Sequence, residues 1–214
     1  MVRREAVVSF YDRWVLPPVL DLVMRQRQLA KYRHEVVAAA SGRTLEVGVG
    51  SGLNFPHYSK QVEIVFGIDP SPLLLAIARR RAAAAGVGVA LVQGSATTIP
   101  LADHSVDTIV MTWTLCSIPD PLVALREIRR VLKPGGKLLF VEHGLSPEPG
   151  VERWQHRLTP VWRHIAGGCH LDRKMDDLIR SAGFDLTELR TEYARGPRCM
   201  AYMYEGCAVC AEHR

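Results

Sequence analysis

Two stretches near the start of the chain carry apolar residues at helical spacing. Over residues 3–16, Val7, Val8, Phe10, Tyr11, Trp14 and Val15 stand among Arg3, Arg4 and Arg13, the pattern of an amphipathic helix. Pro17 and Pro18 are expected to break it. Leu20, Val23, Leu29, Val36 and Val37 then predict a second helix over 19–40. From there apolar runs and helical stretches alternate. Strands are predicted at about 43–48, 62–68, 88–93, 106–112 and 137–142. One helix starts at Ser71-Pro72 and runs to about Ala85; another covers 121–132 and stops at Lys133-Pro134-Gly135-Gly136. This alternation implies a parallel sheet covered by helices on both faces. The pattern changes at 146–170, where prolines, two tryptophans and several basic residues suggest an insertion over a site. A helix at 172–182 and strands at about 184–192 and 198–205 follow.

Composition adds little to that picture. The 214 residues suffice for one domain with a core, and 48% apolar with 23% charged content is ordinary for a soluble protein. The net charge of +5 is mild. No apolar run approaches the roughly 18–20 residues that cross a bilayer, and a signal peptide is not expected. Five cysteines, an odd number, suggest a reducing cytoplasm. Cys207-x-x-Cys210 with His213, and Cys199 as a fourth donor, resembles half a zinc site. Its irregular spacing favours a mobile tail over 207–214, and no metal is expected.

The chemistry concentrates where the first strand ends, in Leu45-Glu-Val-Gly-Val-Gly-Ser-Gly52. Gly48, Gly50 and Gly52 let the backbone approach a ligand closely. A dinucleotide fingerprint would place its third glycine one residue later, where Leu53 stands. No Gly-Lys-Ser/Thr follows, so the loop is not a triphosphate cradle. Glu46 can accept from a cationic amino group, and Asp69, at the end of the second strand, from two ribose hydroxyls. The site therefore wants a nucleoside with a positive amino-acid tail.

On these residues the chain resembles the class I S-adenosylmethionine-dependent methyltransferases over about 40–145. Glu46–Gly52 is similar to the family's first motif and Gly67-Ile-Asp-Pro-Ser71 to its second. Gly94-Ser95-Ala96 with Ile99-Pro100-Leu101 is similar to its adenine loop, and Leu125–Gly136 to the helix and turn before the fifth strand. The resemblance implies an α/β, doubly wound, mostly parallel seven-stranded sheet (a Rossmann-like methyltransferase fold) with a helical cap at 1–40. The methyltransferase domain would span 41–206, with a lid-like insertion at 145–171. It implies that Glu46, Gly48 and Gly50 line the methionine end of S-adenosylmethionine, with Ser51, Gly52 and Asn54 completing the loop. Asp69 would hold the ribose, with Pro70 beside the adenine. Gly94, Ser95 and Ala96 would meet the adenine edge, and Thr112 and Trp113 would contribute from the fourth strand. Tyr11, with Trp14, would fold over the cofactor.

The second half resembles the mammalian microsomal alkyl-thiol S-methyltransferases, the methyltransferase-like seven group, and their bacterial relatives. The resemblance rests on Leu115-Cys-Ser-Ile118, Glu142-His143, Trp154, Pro160-Val-Trp162, Gly168–Arg173 and Gly183-Phe184. Where those mammalian proteins carry a hydrophobic anchor, residues 1–24 are amphipathic and charged. His143, at the end of the fifth strand, is the candidate general base or acceptor-orienting group, or else a structural histidine. Cys116, Trp162, His170 and Arg198 are candidate acceptor contacts.

The expected function is methyl transfer to a small or lipophilic acceptor, first a thiol, alternatively phosphatidylethanolamine or a quinone-type ring. A nucleic-acid methyltransferase fits less well, because Thr112-Trp113-Thr114-Leu115 stands where amino-directed DNA enzymes carry Asn/Asp-Pro-Pro-Tyr/Phe. A non-catalytic cofactor-binding protein is the remaining alternative. Expected partners are a small molecule or lipid, no nucleic acid, and a membrane surface touched by the N-terminal helix.

Overall fold

The computed structural model describes residues 10–211. Most of the charged part of the first amphipathic stretch, and His213, lie outside them. The elements follow in chain order. A π-turn over Tyr11–Val15 leads into α1 (Leu16–Met24), then α2 (Arg27–Val37), β1 (Gly42–Val47), β2 (Val62–Asp69) and α3 (Pro72–Ala82). Next come β3 (Gly88–Gln93), β4 (Val106–Thr112), α4 (Pro121–Val131) and β5 (Leu132–His143). The chain continues through α5 (Pro149–Ile165), α6 (Met175–Ser181), β6 (Phe184–Tyr193), α7 (Arg198–Ala201) and β7 (Tyr202–Cys210).

The seven strands run in the order β3-β2-β1-β4-β5-β7-β6. Pairings among the first five are parallel, and β7 is antiparallel to both β5 and β6. Strand alternation splits the core in two. Ile109, Met111, Leu138 and Phe140 face α4 and α6, while Val110, Leu139 and Val141 face α2 and α3. α4 shows why such segments are helices: Ala124, Leu125, Ile128 and Val131 form one fully buried stripe. The sheet's order turns back between β1 and β4, and ligands of open α/β sheets bind at the carboxyl ends of strands flanking that point.

Four expectations need correction. Pro17 and Pro18 do not end a helix; they sit in the first turn of α1, where a missing N–H leaves no bond unmade. The predicted helix over 19–40 is two, because Gln26 leaves the helical region at ψ 135°. That break lets α1 swing over the strand ends while α2 docks Leu29, Tyr32, Val36 and Val37 on the sheet. Residues 198–201 are a short helix rather than the start of a strand. Finally, residues 207–210 are not a tail: they complete β7, inside the sheet.

Candidate functional site

Backbone conformation shapes the loop after β1. Gly48 and Gly50 hold φ of +71° and +53°, left-handed values that cost little only for glycine. A Cβ on Gly48 would collide with Thr114, whereas one on Gly50 would meet only the Gly48 carbonyl at an ordinary 3.9 Å. Asp69 fixes this loop to the end of β2. Its Oδ2 accepts from the Gly50 N–H at 2.9 Å and its Oδ1 from the Ser71 N–H at 2.8 Å. Burial raises its pKa against those two bonds. Each carboxylate oxygen keeps a further lone pair for a ligand hydroxyl.

A cavity of about 360 Å³ opens at these strand ends. Of the residues assigned to the cofactor, Glu46, Gly48, Gly50, Ser51, Asn54, Asp69, Pro70, Gly94, Ser95, Ala96, Thr112 and Trp113 all line it. Gly52 does not: it shapes the turn at φ +79°, where a Cβ would strike Phe55. Tyr11 does not either; its hydroxyl donates to the Ile165 carbonyl at 2.8 Å and ties the π-turn to the end of α5.

At the floor of the cavity Glu46 is buried. Its Oε1 accepts from Asn54 Nδ2 at 2.9 Å and its Oε2 from the Tyr58 hydroxyl at 2.7 Å. Burial outweighs both bonds and the nearby Arg33 charge, pushing this carboxyl up to about 8. Arg33, also buried and cavity-lining, stacks its guanidinium 4.8 Å from the Trp113 ring centroid. Burial pushes it down to about 10, so it keeps its charge at neutral pH. Trp113 holds φ at +50°, a strained value for a bulky residue, and its indole N–H is buried without a partner. An anion source and a cation side by side fit a zwitterionic tail, with the Trp113 N–H left for its carboxylate. The residues present thus fit S-adenosylmethionine, the donor that the first motif implies.

The sequence reading missed Arg33, and a signal was there. Leu29, Arg33 and Val37 lie on one buried helical stripe, a charge where an apolar residue is due. It missed Asp21 for want of any local cue. This buried carboxylate pairs with Arg25 and, at 2.8 Å, with Arg81, whose guanidinium donates to the Ser51 carbonyl at 2.7 Å. Burial alone would raise Asp21, but hydrogen bonds from Arg81, Ser51 and Arg25 hold it at about 2. Through this pair α1 is clamped to the glycine loop. Leu16 and Leu20 then close one side of the cavity beside Gly167, where Ser117, Ile118 and Ala166 also line it.

The candidate acceptor residues fall into two groups. Cys116, His143 and Trp162 come together with Cys169, which the sequence reading had not singled out. His143 Nε2 lies 2.9 Å from Cys169 Sγ, and Trp162 Nε1–H donates to the same sulfur at 3.1 Å. A hydrogen bond from Cys169 holds the Cys116 thiol well below its usual range against burial, with the His143 charge assisting. Burial lowers His143, but the Cys116 charge wins and raises it. None of the four lines the cavity; their neighbours Ser117 and Ala166 do. His143 thus sits against Cys169, adjacent to the cavity lining rather than in it. His170 is half-buried, 3.6 Å from Asp172. Arg198 is misplaced for an acceptor contact: it is exposed, paired with Glu148 and stacked 4.1 Å from the Tyr193 ring centroid. The half zinc site fails for a simple reason. Cys207 and Cys210 are three apart on a strand and point to opposite faces, one in each core.

Comparison with known proteins agrees with this geometry. Residues 45–140 match the family described as a methyltransferase domain. A thiol S-methyltransferase of Rattus norvegicus is 37% identical over 151 residues, which cover 68% of this chain and 61% of that protein. The match thus spans under two thirds of that relative's length. A phosphatidylethanolamine N-methyltransferase of Cereibacter sphaeroides is 34% identical over 143 residues, covering 65% of this chain and 68% of that protein. Among solved structures, a methyltransferase of Thermotoga maritima described as a possible histamine N-methyltransferase superposes with a TM-score of 0.66. It is 26% identical, with 91% of this chain and 94% of that chain covered.

Proposed function

The chain belongs to the class I S-adenosylmethionine-dependent methyltransferases, and from that premise we propose that it methylates a small lipophilic thiol. When bound, S-adenosylmethionine supplies an electrophilic methyl group on a sulfonium. The protein's own residues do the rest by position. Asp69 holds the ribose, Glu46 the ammonium and Arg33 the carboxylate, so the methyl is presented to one side of the cavity. There the wall is Leu16, Leu20, Ile118, Ala166 and Gly167, apolar or small, closed by a helix that the Asp21–Arg81 pair clamps in place. Such a wall strips water from an apolar acceptor, and a thiolate, needing only to lose one weakly held proton, is the nucleophile it favours.

The observation that carries this reading is the likeness to the rat thiol S-methyltransferase, joined to the apolar acceptor side. The phosphatidylethanolamine reading is second, favoured by the Cereibacter sphaeroides relative and by Asp12, a carboxylate that lines the same cavity. Incubation with labelled S-adenosylmethionine and a panel of alkyl and aryl thiols, phosphatidylethanolamine vesicles, quinol precursors and RNA separates them. Label is expected on the thiol sulfur. Label confined to phosphatidylethanolamine would move the assignment to the second reading.

Among the described residues no helix is long and apolar enough to cross a membrane. A peripheral contact is supported by exposed apolar side chains on the N-terminal segment and α5, whose neighbours line the cavity. Phe10, Trp14 and Leu22 stand on the N-terminal side and Trp154, Val161 and Ile165 on α5, with the Tyr11–Ile165 hydrogen bond joining the two. The full chain is expected to co-sediment with anionic vesicles, and Leu22→Glu with Ile165→Glu to abolish this. Equal sedimentation of wild type and double variant would remove the membrane from the proposal.

A further inference from the structure

Three side chains that the methyl-transfer reading leaves without a task meet behind the acceptor wall. Cys116 belongs to the loop after β4, His143 ends β5, and Cys169 follows α5. One side-chain atom from each, two sulfurs and an imidazole nitrogen, lie within 4.8 Å of one another. Both cysteines are buried and unpaired. We propose that Cys116, His143 and Cys169 form a binding site for a soft divalent ion of the zinc type, with its fourth position turned toward the acceptor side of the cavity.

The donor set argues for this first. Two cysteine sulfurs and one imidazole are the three protein ligands of zinc sites that keep a position open. Tetrahedral bonds of about 2.3 Å to sulfur and 2.0–2.1 Å to nitrogen set neighbouring donor atoms roughly 3.5–3.8 Å apart. The His143–Cys169 separation of 2.9 Å must then open by roughly 0.6–0.9 Å, as the ion displaces the hydrogen-bonded proton. Binding sends the two thiol protons to solvent and leaves both sulfurs as thiolates.

The surroundings argue for it next. One polar hydrogen is already aimed at a sulfur, Trp162 N–H on Cys169, and the Ser117 hydroxyl lies 3.6 Å from Cys116 Sγ, where either group can donate. Donors of this kind steady metal-bound thiolates. The Cys116 loop is pinned from two sides. Glu142 accepts from the N–H groups of Thr114, Leu115 and Cys116 at 2.7, 2.9 and 3.3 Å. Arg173 donates to the carbonyls of Leu115 and Ile118 at 2.6 and 2.7 Å. Ser117, next to Cys116 in sequence, and Ala166, three residues before Cys169, line the cavity, so the cluster lies close behind its lining.

The test uses the full chain, reduced and stripped with a chelator, titrated with Co²⁺ and then Zn²⁺ in the absence of any methyl acceptor. One equivalent of Co²⁺ is expected to give the visible bands of a tetrahedral ion, with sulfur charge transfer for two thiolates, and Zn²⁺ to displace it. Cys116→Ser and Cys169→Ser should each weaken binding by at least about 100-fold, and Trp162→Phe, which keeps the aromatic packing, by roughly tenfold. The double variant Cys207→Ser, Cys210→Ser should bind as wild type does. Absence of tetrahedral bands in the wild-type chain overturns the site, whether or not the variants fold. So do bands that survive Cys116→Ser or depend on Cys207 and Cys210. Because no acceptor is present, failure here leaves the thiol assignment standing, and failure of the thiol assay leaves the metal site standing.

Discussion

Replacing Asp69 with alanine is expected to cost at least about 100-fold in affinity for S-adenosylmethionine. A carboxylate taking two ribose hydroxyls contributes two hydrogen bonds to a charged acceptor, each about 1.5–3 kcal/mol, and 1.4 kcal/mol is a factor of ten. The substitution also frees the Gly50 and Ser71 N–H groups, now bonded at 2.9 and 2.8 Å, so the glycine loop loses its anchor to β2. Calorimetry on the folded variant measures the first effect, and loss of the thermal shift that the cofactor gives wild type reports the second. An affinity within about threefold of wild type, against the 1.5–3 kcal/mol expected of each bond, would remove Asp69 from the ribose site.

Glu46 should make cofactor binding rise with pH. Its carboxyl, pushed up to about 8 by burial, holds a proton at pH 6–7, and a bound ammonium requires the ionised form. The sign follows directly. Binding must expel that proton below pH 8, so affinity climbs by up to about tenfold per unit from pH 6 toward 8. Above that range the cofactor's own amino group, with an ordinary pKa of roughly 7.7–8.0, loses its charge and the gain ends. Glu46→Gln keeps the shape and removes the ionisation. It should bind about 10–100-fold more weakly than wild type at pH 8, with the gap narrowing at pH 6. Arg33→Met gives the contrasting signature, weaker binding at every pH with the slope intact, because Arg33 stays charged throughout. Calorimetry in buffers of different ionisation enthalpy counts the proton. A flat wild-type profile with no proton released would place the ammonium elsewhere.

The two predictions draw on residues that were legible for different reasons. Glu46, Gly48, Gly50 and Asp69 sit at the ends of strands whose apolar runs are plain in the sequence, so motif and geometry coincide. Arg33 was visible only as a charge on an apolar helical stripe, and its meaning waited for Trp113 and Glu46 to close around it. Cys207 and Cys210 were assigned to a mobile tail because their spacing fits no metal site, whereas strand pairing builds them into β7 and separates them onto opposite faces.

The sequence by itself determined the donor side of this protein. Short-range rules suffice there, since a strand must end in glycines to let a ligand reach the backbone, and an acid two residues before them cannot avoid the site. It determined the alternation of strands and helices in outline for the same reason, because each central strand announces itself by its own apolar run. Only the tertiary structure decided the acceptor side. Its wall comes from α1 and the loops after β4 and α5, segments far apart in sequence and with no shared period. The meeting of His143 with Cys169, 26 residues on, depends on α5 packing Leu158 and Trp162 against the core. Likewise the place of β7 between β5 and β6 was settled by pairing partners, which no local pattern encodes.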